Sequence, residues 1–339
     1  MRILIDAHMV GQKETGNETY IVNLIRGLQS LAVADEFFLL TSDRRRLEEQ
    51  VQLSDRFVAV DVSGSNVRRL GWQIARIAAR RRIDLIHSTY FPPLFAPCPV
   101  VVSIHDLAFK SHPEWFSPRD RFVLSVGVWL GVKVGARLIT ISEYSLREIG
   151  RFYNAGRDRV AVIPLAAAAE FKPGQPTGQQ SAVLSKYGII RPYILAVGNL
   201  QPRKNLCRLV EAFAQLKKEG IGRLLVIAGK AKWQESVLLK TIAEHGLKTD
   251  VVLTGYVADD DLPRLYSGAD LFVYPSLLEG FGLPVVEAMA CGVPVVAARA
   301  SSIPEVAEGA AVLVDGEDVR QIADGMRRVL TNGALAVEL

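Results

Sequence analysis

The sequence is short of several things that define whole classes of protein. Its three cysteines, Cys98, Cys207 and Cys291, are odd in number and form no CxxC pair. Neither a disulfide framework nor a cysteine zinc site is therefore expected, and a reducing, cytoplasmic setting fits best. No apolar run approaches the ~20 residues that cross a bilayer. The apolar start, Met1 to Asp6, is too short for a secretory signal and reads as a first strand. There is no GxSxG, no zinc-ligand spacing and no repeat of solenoid length, so no metal is expected. Charge of one sign is scarce as well. The net charge is only +4 over 339 residues, and no nucleic-acid reader motif accompanies it, so nucleic acid is not an expected partner.

The small positive excess is unevenly placed. The first 170 residues carry 22 Lys and Arg against 18 Asp and Glu, and the remainder carries 18 of each. Clusters stand at Arg44–Arg46, Arg68–Arg69 and Arg80–Arg82. They read either as solvated helix faces or as a weak attraction to anionic lipid headgroups or an acidic acceptor. The second reading would put the protein peripherally at the inner face of a membrane.

What is present is a large apolar fraction, 49% of residues, enough for two cores of about 170 residues each. Strand-length apolar runs at 3–6, 37–41, 57–62, 84–87, 97–106, 137–141 and 160–164 alternate with helical periodicity at 18–31, 66–82, 118–134 and 142–153. A second series of strands, 193–198, 224–229, 251–254, 271–274, 293–297 and 311–314, alternates with helices that include 206–218, 262–267, 284–291 and 319–330. Between the series, residues 166–178 are rich in Ala, Pro, Gly and Gln without periodicity and read as a linker. Such alternation predicts two doubly wound α/β domains, residues 1–170 and 171–339.

Chemistry gathers at a few loops. The stretch Glu279-Gly-Phe-Gly-Leu-Pro-Val-Val-Glu287 follows a buried strand and opens a helix, so its turn presents free N–H groups to an anion. Two carboxylates bracket that turn. Arg203 and Lys204 stand just before another helix, where cations oppose the helix dipole, and that conflict points to a bound anion. His105 ends the 97–106 strand at the edge where open sheets bind ligands. It is read as a site residue or as structural; His8, His87, His112 and His245 are read as structural. Gly16, at the start of the first helix, either lets backbone N–H groups approach a phosphate or belongs to the plain connecting loop 11–16. Asp259, Asp260 and Asp261 precede a helix and read as a cap, with a metal site as the alternative. Cations, N–H donors and carboxylates together describe a nucleotide-sugar site without a metal.

The Glu279-x7-Glu287 stretch with Gly-Phe-Gly-Leu-Pro inside it and Ala-Met-Ala-Cys-Gly-Val-Pro after it resembles the signature of family 4 retaining glycosyltransferases of the GT-B fold. Val197-Gly-Asn-Leu-Gln-Pro-Arg-Lys-Asn205, Gly255-Tyr256, Ala300-Ser-Ser-Ile-Pro-Glu305, Val102-Ser-Ile-His-Asp106 and Thr140-Ile-Ser-Glu143 fall in that family's order. The resemblance implies two facing Rossmann-like domains with a cleft between them, an acceptor-binding first half and a donor-binding second half. It implies that Arg203 and Lys204 hold the donor diphosphate, Glu287 the ribose and Glu279 the sugar hydroxyls. Backbone N–H groups of Phe281, Gly282 and Leu283 would meet sugar or phosphate, with Gly16 closing on them. Tyr256 and Val257 would flank the base, and His105 the transferred sugar. No protein nucleophile is implied. The Arg-Lys-Asn loop and the Ile-His-Asp-Leu-Ala-Phe stretch look most like mannosyltransferases of surface polysaccharide assembly. GDP-mannose is thus the expected donor ahead of UDP-sugars, with a saccharide or lipid-linked acceptor. In the N-terminal loop, Gly16 is followed by Asn17-Glu18, where the family more often has a glycine pair and a basic residue. Family members also usually continue beyond the equivalent of Leu339 with a further helix, so the donor domain is expected to be cut short. A nucleotide-sugar epimerase of the same architecture and a non-catalytic nucleotide-sugar binding protein are the alternatives.

Overall fold

The computed structural model describes residues 1–12, 15–31, 34–174, 178–230 and 235–339. The chain divides into two compact units, Met1–Leu165 and Ala166–Leu339. The first holds a seven-stranded sheet of β1 (Arg2–Asp6), β2 (Glu36–Thr41), β3 (Phe57–Asp61), β4 (Leu85–Thr89), β5 (Val100–Ser103), β6 (Arg137–Thr140) and β7 (Val160–Val162). Their order across the sheet is β3-β2-β1-β4-β5-β6-β7. The second holds β8 (Tyr193–Val197), β9 (Leu224–Ala228), β10 (Val251–Gly255), β11 (Leu271–Tyr274), β12 (Val295–Ala298) and β13 (Val312–Val314), ordered β10-β9-β8-β11-β12-β13. Every pairing is parallel.

Both sheets are doubly wound in the Rossmann manner, as the alternation of strand and helix predicts. The order reverses between β1 and β4 in one unit and between β8 and β11 in the other. At such a switch point the loops leaving the two strands diverge, and the crevice at their carboxyl ends is where ligands bind. Strand side chains alternate between faces. Ile194, Ala196, Leu225, Ile227, Leu271 and Val273 pack into one core of the second unit, whereas Tyr193, Leu195, Val226, Phe272 and Tyr274 pack into another. Both faces are covered, which is why these strands read as continuous apolar runs.

The structure departs from the sequence reading in several places. β5 ends at Ser103, so His105 and Asp106 lie beyond the strand, not at its end. The helix expected over 66–82 passes through a π-turn at Arg69–Gln73. The inserted residue turns Arg69 inward, where it is buried 3.3 Å from Asp6. A short helix over Arg44–Gln50 is not legible because Leu47 is its one apolar residue, too few to show a period. It neutralises its own arginines, pairing Arg44 with Glu48 at 2.8 Å and Arg45 with Glu49 at 3.0 Å. The expected linker and the expected 11–16 loop each pass through residues outside those described. Gly178, placed at the linker's end, instead begins the helix Gly178–Lys186. Among the described residues no helix is long and apolar enough to cross a membrane.

Candidate functional site

In the second unit the switch point lies between β8 and β11, and the loops leaving these two strands carry the residues of interest. After β8 the chain turns through Pro202–Lys204 to Asn205, which adopts a left-handed conformation, φ 58°. That strained position persists because the Asn205 amide is bonded on both sides. Its Nδ2 donates to the carbonyls of Pro275 (3.1 Å) and Gly316 (2.6 Å). Asn205 thereby ties the β8 loop to the β11 loop and opens the helix Leu206–Lys218.

The two loops meet at Glu279. Its Oε1 accepts from Lys204 Nζ at 2.6 Å and its Oε2 from Arg203 Nη1 at 2.6 Å. Lys204 Nζ also donates to the Tyr274 hydroxyl at 2.6 Å, and Arg203 Nη1 to the Leu278 carbonyl at 3.1 Å. Glu279's own backbone is held as well, its N–H by Ser301 Oγ and its carbonyl by the Ser302 hydroxyl, both at 2.8 Å. Burial alone drives this carboxyl's pKa up. The charges of Arg203 and Lys204 and their hydrogen bonds outweigh burial and hold it at about 2. The anion that the paired cations call for in the sequence is, in the protein itself, this carboxylate.

From Glu279 the chain turns through Gly282, whose φ of 104° is one that a side chain resists, into the helix Leu283–Ala290. Pro284 sits in its first turn, where a missing N–H costs nothing. Glu287 lies one face further along and is buried. Its Oε2 accepts from Tyr266 at 2.9 Å, and burial raises its pKa from 4.5 to about 7 against the opposing Tyr266 bond. The two acids thus sit in opposite environments, one ionised between cations and the other shared between its protonated and ionised forms near neutrality.

That contrast has a measurable consequence. Because Glu287's folded pKa is raised, the stability tied to its proton is complete below 4.5 and is lost as pH rises through about 7. With one pKa unit worth about 1.4 kcal/mol and the pKa rising from 4.5 to about 7, the full loss is on the order of 3 kcal/mol. Glu287→Gln should remove that slope, so denaturant midpoints at pH 5 and pH 8 should lie closer together in the variant than in the wild type.

The remaining second-unit residues are more loosely gathered. Tyr256, just past β10, is partly exposed, with Lys230 Nζ 4.9 Å from its ring centroid, and Val257 beside it is buried. Phe281 is buried. Asp261 precedes the helix Leu262–Gly268 without capping it by its side chain. Its carboxylate instead accepts from Lys186 at 2.7 Å and Tyr187 at 2.8 Å, so the capping reading gives way to an ion pair. Among the described residues no cluster of His, Cys, Asp and Glu is arranged to hold a metal.

In the first unit, His105 is buried beyond the end of β5. Its Nδ1 meets Asn17 Oδ1 at 2.9 Å, so Nδ1 carries the proton and Nε2 is an acceptor. That Nε2 is buried without a hydrogen-bond partner. Burial, reinforced by His87, pushes the ring's pKa down to about 3, which keeps it neutral at physiological pH. Tyr20 packs edge-on at 4.3 Å. Gly16 lies in the first turn of the helix Thr15–Ser30, and a Cβ there would meet nothing within 4 Å. The Glu18 carboxylate accepts from the Gly11 N–H and the Gln50 amide. Asn17, Tyr266, Tyr274, Ser301 and Ser302 were not singled out in the sequence. Of these, Asn17 carried a signal, as the residue standing where a glycine or basic residue is more usual, and Ser301 and Ser302 lay inside the Ala300–Glu305 motif without being read individually.

Two family models match the chain, Glycosyltransferase Family 4 over residues 15–170 and Glycosyl transferases group 1 over residues 187–339. The O-antigen chain mannosyltransferase B of Escherichia coli is 35% identical over 248 residues, which are 70% of this chain and 65% of that protein. The serotype-specific mannosyltransferase WbdA of Escherichia coli is 33% identical over 206 residues, 60% of this chain and 25% of that protein. The matched stretch therefore spans less than two thirds of the first relative and a quarter of the second. Among solved structures, Anabaena Alr3699/HepE in complex with UDP-glucose superposes with a TM-score of 0.77 at 21% identity, over 100% of this chain and 92% of that one. This likeness concerns the fold, which is GT-B.

Proposed function

The chain belongs to glycosyltransferase family 4, and from that membership we propose that it transfers mannose from GDP-mannose to a saccharide or lipid-linked acceptor with retention of configuration. The observation that carries the proposal is the Glu279 carboxylate held between Arg203 and Lys204 at the β8/β11 switch point. Two cations gathered on one anion at a switch point suit the charge of a diphosphate, which supports this reading. The mannosyl preference rests on the Arg-Lys-Asn loop and is supported by the mannosyltransferase relatives.

In this reading the donor diphosphate takes up the cations now engaged with Glu279, which turns its oxygens to the sugar hydroxyls. Glu287, beside Tyr266, takes the ribose hydroxyls, and Tyr256 and Val257 flank the base. The N–H groups at Phe281, Gly282 and Leu283 bind sugar or phosphate. The bond from the anomeric carbon to the phosphate oxygen breaks, and a bond to the acceptor oxygen forms on the same face. The acceptor proton passes to the departing phosphate oxygen, whose charge Arg203 and Lys204 stabilise. No protein nucleophile and no metal enter the scheme. His105 offers its bare Nε2 to a sugar hydroxyl; being neutral, it neither attracts nor repels the phosphates.

Incubation with a panel of GDP- and UDP-sugars in the presence of saccharide acceptors tests the proposal. Turnover should be fastest with GDP-mannose and give an α-mannoside. A UDP-sugar preference would overturn the donor assignment. Release of an altered nucleotide sugar without an acceptor would point to an epimerase.

A further inference from the structure

The Nε2 atom of His105 is buried without a partner, and the reason lies on the other side of the ring. We propose that Asn17 is a positioning residue that makes His105 a pure hydrogen-bond acceptor. The transferred sugar, given that His105 flanks it as proposed above, must then present a proton-donating group, a hydroxyl, at the position it turns to this ring.

His105 follows β5 on a backbone held from its neighbours. The Ile104 N–H donates to the Ile139 carbonyl at 2.8 Å, and the Ile104 carbonyl accepts from Thr140 Oγ1 at 2.8 Å. The His105 carbonyl itself accepts from Ser145 Oγ at 2.7 Å. Tyr20 meets the imidazole edge-on at 4.3 Å and Tyr90 at 5.5 Å, which wedges it between two rings. The Tyr20 hydroxyl is engaged with Ser103 Oγ at 2.8 Å, and Ser103 Oγ with His87 Nε2 at 2.8 Å, so this polar chain passes the His105 nitrogens by. The tautomer is left to Asn17, in the first turn of the helix Thr15–Ser30, whose Oδ1 lies 2.9 Å from Nδ1.

An amide oxygen only accepts, so this bond keeps the proton on Nδ1, and a neutral imidazole protonated there has a bare Nε2. Burial and His87 hold the ring at a pKa of about 3, so no second proton reaches Nε2 near neutrality. A carboxylate in place of Asn17 would accept the same proton but would favour the charged ring; the neutral amide sets the tautomer without the charge. A sugar hydroxyl can donate to such a nitrogen. Fluorine, an ether oxygen or a carboxylate brings a lone pair against a lone pair. A buried acceptor left unpaired in this way is the kind of mismatch that separates otherwise similar substrates strongly.

Proton–nitrogen correlation spectra of the imidazoles in the ligand-free protein should show His105 with its proton on Nδ1 near neutral pH. In Asn17→Leu both tautomers should appear. In Asn17→Asp, at a pH where the ring is neutral, the Nδ1–H form should return. Selectivity is read with monodeoxyfluoro analogues of whichever nucleotide sugar the protein turns over, fluorine replacing one hydroxyl at a time. At one position the wild type should disfavour fluorine against hydroxyl, in kcat/KM, at least about tenfold more than Asn17→Leu does. The inductive effect of fluorine on the breaking bond is common to both proteins and cancels. A wild-type proton on Nε2, an Asn17→Leu spectrum like that of the wild type, or equal fluorine discrimination at every position would overturn the proposal. The spectra need no turnover, so a failed tautomer assignment is distinguishable from a failed donor assignment, which the nucleotide-sugar panel reports.

Discussion

Lys204→Ala is expected to unfold about 3 kcal/mol more easily than the wild type and to turn over donor at least about a hundredfold more slowly. Both effects come from one ammonium group. Lys204 is buried, and its Nζ lies 2.6 Å from both Glu279 Oε1 and the Tyr274 hydroxyl. Truncation leaves a buried carboxylate with Arg203 alone and a buried phenol without its donor. Losing a single partner of a buried ion pair is far more costly than replacing the pair, because the remaining charge stays desolvated. Combining Lys204→Ala with Glu279→Gln should therefore recover part of the stability, since no uncompensated carboxylate remains. It should recover none of the turnover, since the leaving diphosphate still lacks its cation. Denaturant melts and initial rates on the three variants separate the two effects.

Glu279→Gln is expected to lose on the order of 3 kcal/mol of stability when free of ligand and to regain more of it than the wild type on binding a nucleoside diphosphate. Without the carboxylate, Arg203 and Lys204 face each other with no anion between them, and the diphosphate supplies one. Turnover should fall while diphosphate affinity is kept or improved, which distinguishes a group that orients the sugar from one that binds phosphate. The pH dependence has a defined sign. Glu279's pKa is held near 2 in the folded protein, below its ordinary 4.5. Its contribution is therefore complete above pH 4.5 and is lost as pH falls through about 2. The gap between wild type and variant should be full at pH 7 and narrowed at pH 3. An equal gap at both would mean that the carboxylate is not clamped by the cations.

Much of the architecture was legible because parallel strands covered on both faces are continuous apolar runs, and each of the observed strands falls on one. The Glu279 turn and the Arg203-Lys204 loop were legible for a different reason, since each breaks a local rule. Their meeting was not. Lys204 and Glu279 are 75 residues apart, and only the strand order, with β8 beside β11, brings their loops to one crevice. Periodicity carries no information about which strands are neighbours. Tyr266 and Tyr274 looked like core residues, and by burial they are; their hydroxyls alone serve Glu287 and Lys204. The surface charge was legible in amount and misleading in place. The runs of arginine drew attention to Arg44–Arg46, which are paired with Glu48, Glu49 and the capping Asp43 of the same short stretch.

The central claim is that Arg203 and Lys204 form the seat of the donor diphosphate, and titration calorimetry of GDP and GMP into wild type and Lys204→Ala tests it most directly. The account predicts that the variant loses at least about tenfold in GDP affinity and little in GMP affinity, because the lost cation faces the outer phosphate. Equal losses for the two nucleotides, or unchanged GDP binding in a folded variant, would contradict it.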